Sequence, residues 1–335
     1  MMDKAQRLAL CLLLVPAPLL AQTFSTDPKL TPQAPAVLQS GLMPLFQPQR
    51  LPTSKGPDKP GADLAFGAYQ RGFYRSAFEE ATKRLAKNKT DAHAMTLIAE
   101  LYRDGHGVKR SFEQAVRWYK LAAERGDRNA LFALGSAALK GEGMARDEAA
   151  ARAWFEQAAA KGHATAHYNL GVMALDSDIQ DFRSALDHFR QAAEGGNADA
   201  AYSLAVLYKE GKGTPRDLAQ AVRWMTRAAD ENITAAIVEL AIMTFNGSGV
   251  TKDEAQAAKL FRKAALRNNP IAMNRLARLQ VAGRGVQKNV IEAMQWHLMA
   301  RAVGLPDDSL DQTLSGLTQA QRAEVEAGVR KMIGP

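Results

Sequence analysis

The chain has 335 residues, 47% of them hydrophobic and 23% charged, which is the balance of a folded soluble protein and excludes a disordered one. Its 43 basic and 35 acidic residues leave a formal charge of +8, but the signs are interspersed, so a massed basic face for nucleic acid is not expected. The one cysteine, Cys11, lies in the expected leader, which leaves a mature chain no thiol for a disulfide, a zinc thiolate or a nucleophile.

Residues 1–21 read as a secretory signal. Lys4 and Arg7 precede the short apolar run Leu8–Val15, Pro16 and Pro18 interrupt it, and Ala21 offers a cleavage site. The run is too short to span a bilayer, so no membrane span is expected in the mature chain. Residues 22–62 hold eight of the fourteen prolines and read as a disordered, polyproline-like linker. The apolar island Leu42-Met43-Pro44-Leu45-Phe46 within it is a candidate docking motif. Residues 63–93 read as a partial leading repeat, with helices over 65–71 and 76–86 and Gly72 between them.

From Ala94 onward one plan recurs. In Ser111–Gly126, Ser111 is placed to cap a helix, Ala115, Trp118, Tyr119 and Ala122 form an apolar face, and Gly126 ends it. The cap column reads Ser111, Asp147, Asp181, Asp217, Asp253 and Asn289. The terminator column reads Gly126, Gly162, Gly196, Asn232, Asn268 and Gly304. All four tryptophans, Trp118, Trp154, Trp224 and Trp296, fall in one further column, with His188 and Leu260 completing it. The array comprises residues 94–129, 130–165, 166–199, 200–235, 236–271 and 272–304, each with a first and a second helix and all but the third with a glycine pair between them. First helices carry large, small and large residues in turn, such as Leu204, Ala205 and Leu207, so that a neighbouring helix can approach closely. The third unit is two residues shorter and has Asp176-Ser177-Asp178 in place of the glycine pair, which predicts a bend or a docking place. Residues 305–335 read as a C-terminal capping segment. There Thr318 and Gln321 have capping-box spacing ahead of a helix to about Ile333.

The unit AYSLAVLYKEGKGTPRDLAQAVRWMTRAADEN and its sisters resemble Sel1-like repeats, relatives of tetratricopeptide repeats, over residues 94–304. The resemblance implies an all-α, right-handed α-solenoid of antiparallel helix pairs acting as an adaptor for a protein or peptide partner. Some secreted bacterial relatives look like envelope regulators or host-interaction factors. Others, with a disulfide in each repeat, are linked to β-lactam binding, which a mature chain without cysteine does not match.

Enzymatic motifs are not evident. The glycine pairs, Gly211-Lys212-Gly213-Thr214 included, lack the full phosphate-loop pattern and a preceding strand. His163 and His167 have zinc spacing on a helix, but His163 falls in a turn and no third ligand suggests itself. No catalytic residue, metal site or cofactor is therefore expected, and the tryptophans are assigned to the core. The partner-binding candidates are Tyr168, Tyr202 and Val238 at one repeat position, with Val172, Val206 and Ile242 four residues later. The alternatives are packing between units for these side chains and, for the protein, a cell-envelope enzyme, a peptidoglycan or β-lactam binder, or a secreted host-interaction factor.

Overall fold

A computed structural model describes residues 63–177 and 180–333, and these form sixteen helices. The expected leader, linker and apolar island lie outside the described residues. Two compact units divide at the loop of the third repeat. Of the described residues, the first holds 63–177 together with 194–197, and the second holds 180–193 and 198–333.

In the first unit α1 (Leu64–Gln70) and α2 (Tyr74–Lys87) form the leading pair. They are followed by α3 (Ala92–Asp104), α4 (Phe112–Ala123), α5 (Arg128–Lys140), α6 (Glu148–Ala160) and α7 (Ala164–Leu175). The second unit contains α8 (Phe182–Glu194), α9 (Ala198–Glu210), α10 (Leu218–Asp230), α11 (Thr234–Asn246), α12 (Glu254–Ala265), α13 (Pro270–Ala282) and α14 (Val290–Ala302). The short α15 (Asp308–Ser315) and α16 (Gln319–Ile333) end it. From α1 to α7 and from α9 to α14 each helix packs against the next, so both units are stacks of antiparallel helix pairs, the solenoid architecture. At the end α16 lies on α14 and closes the array.

Local chemistry sets the helix ends. All six residues of the cap column accept a backbone N–H three residues on, among them Asp147 from Ala150 at 2.9 Å and Asp181 from Ser184 at 3.0 Å. All six terminators have positive φ, including Asn232 at 64° and Asn268 at 60°. Thr318 and Gln321 form a reciprocal capping box at 3.0 and 3.3 Å. The first helices begin two residues before the alanines chosen from periodicity, because Asp91, Asp127, His163 and Asn269 cap them. Helix α15 was not foreseen. Asp307 starts it, accepting from the N–H groups of Ser309 and Leu310.

The glycine pair has two separate reasons. In Gly141-Glu142-Gly143 the first glycine closes α5 in the left-handed conformation, φ 76°. A Cβ on the second would overlap the Phe112 carbonyl at the start of α4, so the loop can lie on the preceding repeat only if that residue has no side chain.

The core differs from expectation in one respect. The columns Ile98–Leu276 and Leu101–Leu279 of the first helices are buried throughout. Among the tryptophans only Trp224 and Trp296 are, at 7% and 2% exposure, while Trp118 and Trp154 are half-buried. The deepest column is one residue on: Tyr119, Phe155, Phe189, Met225, Phe261 and His297, none more than 3% exposed. A helical step is about 100°, so the tryptophans sit at the edge of the buried stripe and the next residue at its centre.

Candidate functional site

The partner-binding candidates occupy two columns of the first helices. Tyr168 and Val172, on α7 in the first unit, are half-buried. In the second unit Tyr202 on α9 and Ile242 on α11 are half-buried, whereas Val206 and Val238 are 9% and 2% exposed and belong to the packing. Burial, together with the charges of Glu239 and Glu210, pushes the Tyr202 hydroxyl above its usual range. Lys209 pairs with Glu239 at 2.9 Å and Lys212 with Glu210 at 3.0 Å, so both carboxylates that act on Tyr202 are themselves ion-paired.

The same columns turn polar at both ends of the array, which periodicity alone did not bring out. They read Thr96, Phe132, Tyr168, Tyr202, Val238, Asn274, and Glu100, Ser136, Val172, Val206, Ile242, Arg278. Asn274 and Arg278 on α13 both donate to Asp307, at 2.7 and 2.6 Å. Burial acts to raise the Asp307 pKa, but those two donors and the α15 amides hold it below the usual carboxylate range.

At the other end Glu100 on α3 is 2% exposed. The Tyr119 hydroxyl of α4 donates to it at 2.7 Å, and Arg103 pairs with it at 2.5 Å. Arg103 also donates to Asp104 at 2.8 Å. Burial pushes the Glu100 carboxyl up to about 7, helped by the charges of Asp104 and Asp127 and opposed by Arg103 and Tyr119. The available sequence signal for this cluster was a carboxylate at the head of a column that is apolar at Val172, Val206 and Ile242.

Of the two histidines with zinc spacing, His167 hydrogen-bonds the Ala159 backbone and His163 caps a helix. The Nδ1 of His163 accepts the Ala166 N–H at 3.2 Å and so caps α7, while its ring stacks on Phe132 at 4.4 Å between centroids. Burial and the Arg128 charge lower its pKa to about 4. A cap needs the unprotonated nitrogen. Between pH 4 and 6.5 the unfolded chain holds more protons than the folded one, so stability rises with pH there and is lost as pH falls through that window. His163→Asn keeps a capping oxygen without titrating. The variant is expected to lose less stability than the parent between pH 6.5 and 4.5, read from urea midpoints; equal losses would remove His163 from this role.

The family model described as Sel1 repeat matches residues 92–127, 128–163, 164–197, 198–233, 234–269 and 270–304. Among solved structures the chain is similar to a Sel1 repeat protein from Oxalobacter formigenes, 29% identical, with 71% of this chain and 97% of that one covered and a TM-score of 0.58. A Sel1 repeat protein from Klebsiella pneumoniae is 23% identical over 59% of this chain and 98% of its own, with a TM-score of 0.36. An immunity protein from Pseudomonas aeruginosa is 20% identical over 70% and 83%, with a TM-score of 0.37. No curated protein matches the sequence. Six consecutive matches spanning residues 92–304, over helix pairs with the caps and glycine turns described above, place the chain in the Sel1 repeat family.

Proposed function

We propose that this protein is a non-catalytic adaptor that acts after export, in the periplasm or beyond it, and binds a protein or peptide partner on its first-helix faces. One observation carries the reading. The recurring polar residues are used up as helix caps and turns, while Tyr168, Val172, Tyr202 and Ile242 recur as half-buried apolar positions that no cap or turn requires. Each unit contributes its own contacts, Tyr168 and Val172 in the first and Tyr202 and Ile242 in the second, with Val206 and Val238 packed beneath. Aromatic side chains at such positions give large contact area for little lost rotamer freedom. The expected leader, with Lys4, Arg7 and the run Leu8–Val15, supports export.

The test is crosslinked capture from periplasmic extract with residues 22–335, alongside a variant carrying Tyr168→Ser, Tyr202→Ser and Ile242→Ser. The half-buried positions are chosen because Val206 and Val238 would disturb the core. A partner retained by the parent and lost by the folded variant is the expected result. No retained protein, or equal retention by both, sinks the reading. Turnover of a cell-wall substrate that one polar substitution abolishes would favour an envelope enzyme instead.

A further inference from the structure

A second feature of the first unit lies away from Tyr168 and Val172. A cavity of about 490 Å³ opens between the first two repeats, bounded by the end of α3, the glycine loop, α4 and α5. That is the size of a small-ligand site. Its floor is apolar, with Val116 and Ala133 at 6% and 2% exposure beside the Tyr119 ring.

The rim is charged and unevenly balanced. Arg103 is neutralised by Asp104 at 2.8 Å, while Glu100, which it also contacts, has its carboxyl pushed up by burial and does not line the cavity. Arg110 and Lys140 are exposed and enter no ion pair among the described residues, although Arg110 lies over the Phe112 ring at 4.5 Å. Among the residues that line the cavity, Arg103, Arg110 and Lys140 face the two carboxylates Asp104 and Glu142, so the rim keeps one positive charge more than it balances. Inside, the Ser136 hydroxyl is buried, the residue being 8% exposed, and has no hydrogen-bond partner. Its column holds Val172, Val206 and Ile242 in the next three repeats, so packing does not require a hydroxyl there. His106 lines the same cavity, and its Nδ1 is buried and without a hydrogen-bond partner. Buried polar atoms are rarely left unpaired, and here two of them belong to residues that line a cavity beside two cations.

We propose that this cavity binds a carboxylate carried by an extended peptide segment. The carboxylate sits between Arg110 and Lys140 and accepts the Ser136 hydroxyl, and the neighbouring apolar side chain rests on Val116 and Ala133. Guanidinium and ammonium donors favour a carboxylate through charge-assisted hydrogen bonds. Glu142 disfavours a second negative charge and limits the site to one. The proposal rests on the adaptor reading for the source of the peptide, and it names residues of the first two repeats, with Ser136 one repeat before Val172 in the same column.

The test is calorimetric titration of residues 22–335 with three peptides. They are acetyl-Gly-Ser-Ala-Val with a free terminus, its C-terminal amide, and acetyl-Gly-Glu-Ala-Val amide. At least one carboxylate peptide is expected to bind with Kd below about 1 mM and the neutral amide not to bind. Binding of the first alone identifies a chain end, and binding of the third an acidic side chain. The pair Arg110→Gln and Lys140→Gln should weaken it about tenfold or more, and Ser136→Ala about threefold, with helical content unchanged. Glu142→Gln should tighten it. Equal affinity for the neutral amide, an unchanged Kd in the double variant, or no binding of any peptide overturns the proposal. Successful partner capture with all three peptides silent would remove this site and leave the adaptor reading intact.

Discussion

Truncating Phe155 to alanine is expected to lower the unfolding free energy by about 3–5 kcal/mol, the largest single loss in the first unit. The ring is fully buried among Leu131, Phe132, Ala151 and Leu170. It meets Phe132 at 5.5 Å between centroids. A Cβ on Gly135 would come within 2.6 Å of its Cε1, so α5 and α6 touch where the ring lies against bare backbone. Removing the ring leaves a cavity that backbone on one side and the Phe132 ring on the other cannot easily fill. The neighbouring Trp154 is larger but half-buried, so Trp154→Ala should cost less than Phe155→Ala. Urea unfolding of the two variants checks this, and the reverse order would show that the tryptophan column forms the centre of the core after all.

Glu100 should make the protein less stable as pH rises, against the usual behaviour of a carboxylate. Its pKa rises from 4.5 to about 7 on folding, chiefly because burial disfavours the charged form. Between those values the folded chain holds the proton and the unfolded chain has lost it. The resulting stability is fully present below pH 4.5 and is lost as pH rises through 7. The shift corresponds to about 3 kcal/mol. His163 acts in the opposite sense between pH 4 and 6.5, so the parent alone would show a blunted profile. Comparison with Glu100→Gln isolates the carboxyl. The amide can still accept from Tyr119, and Arg103 retains Asp104. Relative to the variant, the parent should lose about 3 kcal/mol between pH 4.5 and 8, measured by urea unfolding. Parallel curves for the two proteins would mean that Arg103 keeps Glu100 ionised across the range.

Much of the fold was legible because it is written in short-range chemistry. Ser111, Asp147 and Asp217 cap whichever helix begins after them, since a side-chain oxygen reaches the N–H three residues on whatever the rest of the chain does. The positive φ of Gly126 and Asn232 likewise follows from what those residues tolerate. The capping box of Thr318 and Gln321 closed as its spacing implied. Helix α15 leaves no mark in the periodicity because Asp307 begins a helix of only 8 residues, too short to show a period.

The candidate sites were less legible. Six residues at two repeat positions could be named, but their relative burial could not, because Val206 and Tyr202 differ in exposure through packing against neighbouring helices. The tryptophan column looked central because the residues are conspicuous, and a single helical step moved the centre to Tyr119 and Phe155. Nor could composition show that Arg103 is neutralised while Arg110 and Lys140 are not, since all three read as ordinary surface cations.

What the sequence determined by itself is therefore the repeat, the caps and terminators of its second helices, its glycine turns and the family they imply, each arising from interactions within about one helical turn. Tertiary structure alone decided which members of a column face the core, where a serine hydroxyl is left inside a cavity, and which charges meet. Those outcomes depend on three helices arriving together from residues 103, 119 and 136, and the free energy of a buried or paired group is set by neighbours that no local spacing encodes.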